Sequence, residues 1–261
     1  MRAEFMPKEQ NHTYEKLYYT LWELAGRYSG FCQFRAVGNS HDDRLIPMLE
    51  VGNGAQMIFC VAGIDGTQNL LPRLLIQMAE EYCRAYECGW QLEEFYEVKK
   101  LLDKIRICFL PLLNPDGYEI NQSGFSMIRN PIYRQMLRMQ SIPAKDFGYN
   151  ARGVDICHNF PTVHYIRSRM GEEPASENET KALIRIMQEY GGRGLLTFGQ
   201  AGREIVYITA NRGWEVCQGR TVLPDICRNP RPIIWNGNQA HSLPGRNSKG
   251  EIGRASCRER V

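Results

Sequence analysis

The sequence lacks an apolar run long enough to cross a membrane, and it lacks the opening of a secreted protein. Its longest apolar stretches, at 57–62 and 105–113, fall far short of the roughly 20 residues that span a bilayer. The first ten residues carry charged side chains and no apolar segment, so they do not resemble a secretory signal. These absences predict a cytoplasmic protein with no membrane partner.

The sequence also lacks a block of charge of one sign and any pair of cysteines spaced as CxxC. Its 32 Lys and Arg against 29 Asp and Glu give a formal net charge of +3, which gives no reason to expect a nucleic-acid partner. Of the nine cysteines, Cys60 and Cys108 lie inside apolar runs. Buried, reduced thiols are therefore expected rather than a disulfide framework.

What the sequence does contain is enough apolar residues for a full core, since 43% of its 261 residues are hydrophobic. The last eleven residues match the in-frame translation of a common sequencing adapter, so we leave them out of fold arguments. Without them the net charge falls to +2. We predict an N-terminal tail at 1–12, one domain at 13–250 and an extraneous segment at 251–261.

The hydrophobic spacing predicts helices and strands that alternate along the chain. Apolar side chains three and four residues apart predict a helix over Tyr14–Tyr28, capped by Thr13. Further helices are predicted after Gly66-Thr-Gln68, from a capping box at Ser176-Glu-Asn-Glu179, and within the acidic stretch 91–104. Strands are predicted at 44–51, 56–62, 105–113, 194–198 and 205–209, a tight turn at 114–117, and loops at 226–248.

This alternation predicts an α/β fold with a largely parallel sheet that is covered on both faces. Ligands of such folds bind beyond the carboxyl ends of the strands, where loops leave at 63–68, 114–117 and 196–199. Asp65 and Gln68 lie three residues apart at the first of these turns. They could face one cavity, or they could simply cap the following helix.

Four motifs follow one another in the order of a known family. They are Ala36-Val-Gly-Asn-Ser40 with Arg44 and Ile46-Pro47, Asn114-Pro-Asp-Gly-Tyr118, Asn150-Ala-Arg-Gly-Val-Asp-Ile-Cys-His-Asn-Phe-Pro161, and Gly171-Glu-Glu-Pro-Ala-Ser-Glu-Asn-Glu-Thr180. Together they resemble the zinc carboxypeptidases of the carboxypeptidase A family, especially the bacterial branch that trims diamino-acid peptides of the cell wall. The resemblance covers residues 13 to about 210. It implies a three-layer α/β/α fold with a mixed, largely parallel central sheet.

The sequence departs from this family where the resemblance implies a zinc site. The family's ligands are a His-x-x-Glu pair after the second strand and a His at the end of a later strand. Here Asp65, Gln68 and Leu196 stand at those positions. Zinc needs imidazole, thiolate or carboxylate donors, and of these three residues only Asp65 is a credible donor. We therefore expect no zinc or other cofactor, and no hydrolysis by the family's mechanism.

The resemblance also implies substrate-binding positions. The family's Asn-Arg pair, which grips a terminal carboxylate, corresponds here to Cys157 and His158, and its oxyanion-stabilising Arg corresponds by approximate spacing to Arg129. His158 lacks the bidentate fork of an Arg, so the grip on a carboxylate is expected to be weaker. Arg129 could equally be an ordinary surface residue.

Other groups offer no evident replacement for the lost site. Cys157 and His158 are not expected to form a nucleophile pair, because adjacent side chains of an extended segment point to opposite faces. The remaining histidines are expected in termini and loops, away from the strand ends where a ligand would stand. They are His12, His41, His164 and His241.

The sequence thus favours a non-catalytic homologue that binds a peptide or partner protein in the former cleft or on another face. The alternative is an active zinc metallocarboxypeptidase that hydrolyses peptide or cell-wall stem-peptide bonds. A metal-free hydrolase with Asp65 as general base is a third hypothesis, but no nucleophile is evident beside it. The resemblance also implies a catalytic Glu beyond Gly250, so we expect the domain to be truncated at its C terminus.

Overall fold

The structure is a computed structural model of the chain. It describes residues 12–92, 96–161, 165 and 173–199, and beyond them only strand backbone at 204–205, 207–211, 215–217, 233–236 and 255–256. His164 and His241 lie outside the described residues.

The described residues form α-helices and strands that alternate along the chain. The helices are α1 (Tyr14–Arg27), α2 (Leu71–Cys88), α3 (Val98–Leu102), α4 (Pro115–Ser123), α5 (Pro131–Arg138) and α6 (Asn178–Tyr190). The strands are β1 (Cys32–Asn39), β2 (Leu45–Val51), β3 (Gln56–Val61), β4 (Gln91–Leu92), β5 (Tyr96–Glu97), β6 (Ile105–Leu110), β7 (Gly194–Thr197), β8 (Glu204–Ile205), β9 (Tyr207–Asn211), β10 (Glu215–Cys217), β11 (Ile233–Asn236) and β12 (Ala255–Ser256). Short 3-10 turns lie at Phe125–Met127, Ala144–Asp146 and Ile156–His158.

Eight of these strands form one mixed sheet in the order β1-β2-β6-β3-β7-β11-β9-β10. The central pairs β6/β3, β3/β7 and β7/β11 are parallel, and the flanking pairs are antiparallel. The predicted α/β fold with a mixed central sheet is confirmed, with its parallel pairings gathered in the middle of the sheet.

The sheet is packed between helices on both faces. On one face α1 and α2 bury Leu21 and Leu75 against Phe109, and on the other α6 buries Leu183 against Phe59. All five side chains are almost completely buried, and each contributes about 1.5–3 kcal/mol through removal of apolar surface from water. The predicted three layers therefore rest on alternate residues of the central strands. None of the helices within the described ranges has both the length and the apolar character needed to cross a membrane.

The first helix begins as the sequence predicts. The Thr13 hydroxyl accepts a hydrogen bond from the Lys16 amide at 3.4 Å, and the apolar stripe of α1 faces the sheet. His12, assigned by sequence to the tail, is 5% exposed, and its carbonyl accepts a hydrogen bond from the Tyr118 hydroxyl at 2.7 Å. His12 is therefore packed against α4.

Two sequence predictions are wrong: the tight turn at 114–117 and the capping box at 176–179. Asn114-Pro-Asp-Gly117 is not a tight turn but the start of α4, because Pro115 supplies a helical φ and the Asn114 side chain accepts from the Gly117 amide at 2.9 Å. The predicted capping box is absent, since α6 begins at Asn178 after Glu177, whose side chain makes no cap hydrogen bond. The Ser176 hydroxyl instead donates to the Glu177 carboxylate at 2.8 Å.

Other boundaries also differ from the sequence predictions. The edge strand β1 was not predicted, because its exposed positions interrupt any apolar run and a register shift between Ala36 and Gly38 breaks the alternation. The stretch 91–104 is mostly not helical, and only Val98–Leu102 forms α3. The region 226–248, predicted as loops, contributes β11 to the centre of the sheet.

Candidate functional site

The loops that leave the carboxyl ends of β3 and β6 are held together by one buried side chain. Asn114, besides capping α4, donates through Nδ2 to the carbonyls of Ile64 and Gly148, both at 3.2 Å. The Gly66 amide donates to the Gly148 carbonyl at 2.9 Å. A Cβ at Gly66 would lie 2.5 Å from the backbone of Gly117, so the two loops meet at van der Waals distance. The turn that carries Asp65 and Gln68 is therefore rigidly placed.

Asp65 is engaged in its own turn. Its Oδ1 accepts hydrogen bonds from the amide and the hydroxyl of Thr67, at 2.8 and 2.7 Å. It does not cap α2, whose N-cap is Leu70 without a side-chain hydrogen bond. Gly148 packs against the carboxylate so closely that a Cβ there would lie 2.5 Å from Oδ1. The suggestion that Asp65 caps the next helix is wrong, although its role in a local turn is structural.

Gln68 is buried at the end of the same turn. Its side chain belongs to a residue that is 3% exposed, and its Oε1 has no hydrogen-bond partner among the described residues. An amide oxygen without a donor is costly in a low-dielectric interior. Gln68 therefore has the burial expected of a former ligand position but lacks the charge that would attract a metal.

Leu196 lies on β7, directly beside β3. It pairs with Cys60 in the parallel register, and its side chain packs against the apolar cluster beneath α1 and α2. The neighbouring Thr197 pairs with Val61. The structure thus places an aliphatic side chain at the position where the resemblance implies a third ligand.

These three residues do not fit a zinc ion. Asp65 offers a carboxylate that already accepts two hydrogen bonds, Gln68 offers a neutral amide, and Leu196 offers no donor atom. Within the part of the chain that the structure describes, no complete ligand set forms at this turn.

Cys157 and His158, two of the residues expected to contact substrate, lie in a 3-10 turn. The expectation of an extended segment at these residues is wrong. His158 is exposed and its Nδ1 lies 2.8 Å from Asp155 Oδ2. Cys157 faces the interior, where burial raises the pKa of its thiol, with Asp155 and Asp65 adding to that effect. A protonated thiol is a poor nucleophile. The argument from an extended segment no longer holds, but the raised pKa of the Cys157 thiol gives a different physical reason to expect no nucleophile pair.

Arg129 is exposed, and among the residues that the structure describes its guanidinium contacts only the carbonyl of Asp43, at 3.4 Å. Its backbone is held more firmly, because the amides of Arg129 and Asn130 donate to the Asp42 carboxylate at 2.8–2.9 Å. The segment is fixed while the side chain is free to reach toward a ligand.

Sequence reasoning missed a buried charged network between the β1–β2 turn and α4. Arg44 donates to Asp42 at 2.7 Å and to Asp116 at 2.9 Å, and all three side chains are at most 2% exposed. Ser40 adds a 2.7 Å hydrogen bond to Asp116. Burial raises the pKa of Asp116, although Arg44 and Ser40 oppose that effect. The motif residues Arg44 and Asp116 were visible in the sequence, but their pairing across 72 positions was not.

Sequence reasoning also missed a group formed by His41, Glu177 and Glu179. Because β2 runs antiparallel to β6 with Leu49 opposite Phe109, the β1–β2 turn that carries His41 lies beyond the carboxyl end of β6. His41 lies in a loop, as the sequence predicts, but this loop follows the end of β1 and reaches the carboxyl end of β6, where a ligand could stand.

Their surroundings shift the pKa values of the two glutamates of this group in opposite directions. Burial opposes ionisation of Glu177, but hydrogen bonds from His41, Asn150 and Ser176 outweigh it and lower its pKa to about 2. Burial, with repulsion from Asp116, raises the pKa of Glu179 to about 7. The spacing of the two glutamates was visible in the sequence, but it gave no indication that β1 would bring a histidine beside them.

Comparisons with known proteins agree with the fold and the motif order. The family model described as zinc carboxypeptidase matches residues 17–228. The chain is 25% identical over 208 residues to the human carboxypeptidase N catalytic chain, which covers 69% of this chain and 40% of that one. It is 24% identical over 193 residues to the uncharacterized protein YqgT of Bacillus subtilis strain 168, which covers 68% and 50%. The chain therefore spans half or less of the length of these relatives.

Solved structures show the same fold at lower identity. Thrombin-activatable fibrinolysis inhibitor superposes with a TM-score of 0.61 and 17% identity, over 76% of this chain and 49% of that one. Carboxypeptidase A from Helicoverpa armigera superposes with a TM-score of 0.54 and 18% identity, over 76% and 50%.

Proposed function

We propose that this chain, which belongs to the zinc carboxypeptidase family, is a non-catalytic member that uses the former active-site cleft to bind a peptide or a partner protein. The observation that carries the proposal is Leu196, which has no donor atom and packs into the apolar cluster beneath α1 and α2. A hydrolytic zinc needs three protein ligands and an open position for water. Removing one ligand entirely leaves the family's mechanism without its metal.

The other two former ligand positions support the same conclusion. The Asp65 carboxylate accepts two hydrogen bonds from Thr67, and Gln68 carries no charge. Both changes leave the turn itself intact, because Asn114 still bridges it to Gly148. Retention of the loop scaffold without the metal donors is what a binding function requires.

The cleft that we propose has little means of recognising a terminal carboxylate. His158 is the remaining basic candidate at the family's carboxylate position, and Asp155 sits 2.8 Å from its Nδ1. A carboxylate partner therefore competes with an acidic neighbour. We expect the cleft to bind extended peptide without preference for a free C terminus.

The catalytic half of the proposal is tested by peptide hydrolysis with added Zn²⁺. The substrates are peptides with a free C terminus, including one that ends in a diamino acid, and the measurement is release of the free amino acid. We expect no release above the enzyme-free blank. Turnover that disappears in Asp65→Ala would overturn the proposal, because it would place chemistry at the former zinc position.

The placement of the former ligands is tested by rebuilding them. The triple variant Asp65→His, Gln68→Glu, Leu196→His should bind one additional zinc ion per chain relative to the unchanged protein. Failure to gain zinc in a folded triple variant would count against the assignment of these positions.

The binding half is tested by fluorescence anisotropy with labelled hexapeptides, each made with a free and with an amidated C terminus. We expect saturable binding of at least one sequence, with dissociation constants of the two forms within about threefold, since no bidentate Arg pairs with the carboxylate. A strong preference for the free carboxylate would contradict this part of the proposal.

A further inference from the structure

A group of metal-ligand side chains lies outside the positions that the family uses for zinc. His41 Nε2 is 3.0 Å from Glu177 Oε2, and a carboxylate oxygen of Glu179 completes a set in which all three ligand atoms lie within 4.8 Å of one another. Glu177 and Glu179 are at most 1% exposed, whereas the His41 side chain is 14% exposed. The group therefore meets solvent through His41.

Glu179 has an unused oxygen within this group. The residue is fully buried, and its Oε1 has no hydrogen-bond partner among the residues that the structure describes. Its Oε2 is 3.4 Å from Asn150 Nδ2, a weak contact. A buried carboxylate with so few donors is costly to ionise unless a positive charge is placed beside it. Glu179 Oε1 can therefore bind a cation without giving up a hydrogen bond to the described residues.

The contacts of His41 point the same way. Its Nε2 lies 3.0 Å from a carboxylate oxygen of Glu177, which requires a proton or a cation between them. The amide of Asn178 donates toward the same nitrogen at 3.4 Å, which requires a lone pair there. One ring nitrogen cannot satisfy both neighbours with a proton. A metal ion bound at Nε2 would satisfy the Glu177 carboxylate, and the Asn178 amide would give up its long 3.4 Å contact with that nitrogen.

We propose that His41, Glu177 and Glu179 bind a divalent transition-metal cation, with zinc as the ion that suits the donor set best. One imidazole and two carboxylates fit zinc, whereas magnesium and calcium prefer oxygen donors alone. Zinc–ligand bonds of about 2.0–2.2 Å put ligand atoms roughly 3–3.5 Å apart. His41 and Glu177 already meet this spacing, and closing the remaining gaps requires a shift of at most about 1.5 Å.

Neighbouring side chains orient the carboxylates for this role. Asn150 donates to Glu177 Oε2 at 2.7 Å, and its own Oδ1 accepts from two backbone amides, which fixes the direction of its NH₂ group. Arg152 and Ser176 hold Glu177 Oε1 at 3.0 and 2.8 Å. Such supporting hydrogen bonds are typical around metal ligands. The ion would tie the β1–β2 turn to the start of α6.

The test is zinc titration of the chelator-stripped full chain by calorimetry, with thermal unfolding as a second readout. We expect one zinc ion per chain and a rise in the unfolding temperature, because the ion binds the folded state. His41→Ala and Glu179→Gln should each weaken zinc binding at least roughly tenfold and remove the rise. Glu179→Gln keeps the shape of the side chain and removes its charge, at a residue whose Oε1 has no partner among the described residues. It therefore tests zinc binding even if His41→Ala does not fold.

The matched controls are Asp65→Asn, at the former zinc position, and His158→Ala, an exposed histidine in another turn. Both should bind zinc as the unchanged chain does. Absence of zinc binding, or binding that persists in His41→Ala and Glu179→Gln, would overturn the inference. Zinc that is lost only in Asp65→Asn would overturn it and would also argue against the proposed function, so the two failures are distinguishable.

Discussion

Two regions at the carboxyl edge of the sheet have opposite characters. The turn after β3 is held in place by Asn114, but at the family's ligand positions it carries an Asp65 that accepts hydrogen bonds from Thr67 and a Gln68 whose Oε1 has no partner among the described residues. The network around Arg44 is buried just as deeply, yet Arg44 bonds two carboxylates and the carbonyl of Met127. One region has lost the donors that a metal needs, and the other has kept every charge paired.

The difference follows from how many partners each side chain has. The main partner of a metal ligand is the ion itself. Where no ion is bound, each ligand position can change without leaving another residue unpaired. Arg44 pairs with both Asp42 and Asp116, so removal of any one of the three leaves a buried charge without its partner. The family motif residues Arg44 and Asp116 therefore stay where they hold the fold, whereas the family's ligand residues are replaced at the turn after β3.

The largest effect that we predict is for Arg44→Met. The substitution leaves Asp42 and Asp116 facing each other without a cation, which should lower the free energy of unfolding by about 3–5 kcal/mol. Urea denaturation measures the change. The matched control is Arg27→Met, because the pair of Arg27 with Glu80 is exposed and should contribute at most about 1 kcal/mol. Equal losses in the two variants would contradict the contrast between buried and exposed pairs.

The next effect is at the close contact between the two loops of the site. A methyl group at Gly148 would lie 2.5 Å from Asp65 Oδ1, so Gly148→Ala should lower the free energy of unfolding by about 1–3 kcal/mol. Asp65→Ala removes the clashing carboxylate. The double variant should therefore lose less stability than the two single losses added together, as a double-mutant cycle by urea denaturation would show. Strict additivity would mean that the two residues do not share this contact.

Much of the fold was predictable because its signals are local. The stripe on α1, its Thr13 cap and the apolar runs of β3 and β6 can be recognised within about ten residues of sequence. The edge strand β1 was missed because its exposed positions and register shift break the apolar alternation. The start of α4 was missed because Asn-Pro-Asp-Gly suits a tight turn as well as a capped helix.

From the sequence, the site could be predicted only at positions that correspond to a family motif. The lack of a complete set of metal donors at Asp65, Gln68 and Leu196 could be inferred by position, and the structure then shows what each side chain contacts. The grouping of His41 with Glu177 could not be inferred, because the two residues are joined by tertiary packing across 136 positions and not by spacing.

A smaller effect, of opposite sign, is predicted at Gln68. Gln68→Met keeps the length of the side chain and removes the buried oxygen that has no partner, so it should raise the free energy of unfolding by about 1 kcal/mol. Gln68→Glu should instead lower it, because a charge would enter the same buried place. Thermal unfolding of the two variants and the unchanged protein in one buffer gives their order of stability. We expect the unfolding temperature to fall from Gln68→Met to the unchanged protein to Gln68→Glu, and any other order would mean that the Gln68 oxygen has a partner in solution.

The smallest effect is predicted for the side chain of Arg129. Because the guanidinium makes only a 3.4 Å contact with the Asp43 carbonyl, Arg129→Ala should change the free energy of unfolding by no more than about 0.5 kcal/mol. Asp42→Ala should cost several times more, because that carboxylate receives the amides of Arg129 and Asn130 and also pairs with Arg44. If urea denaturation shows that the two variants lose similar stability, the Arg129 segment is held by its side chain. A large difference instead leaves the guanidinium available to a ligand, and peptide anisotropy with Arg129→Ala then measures its share of binding.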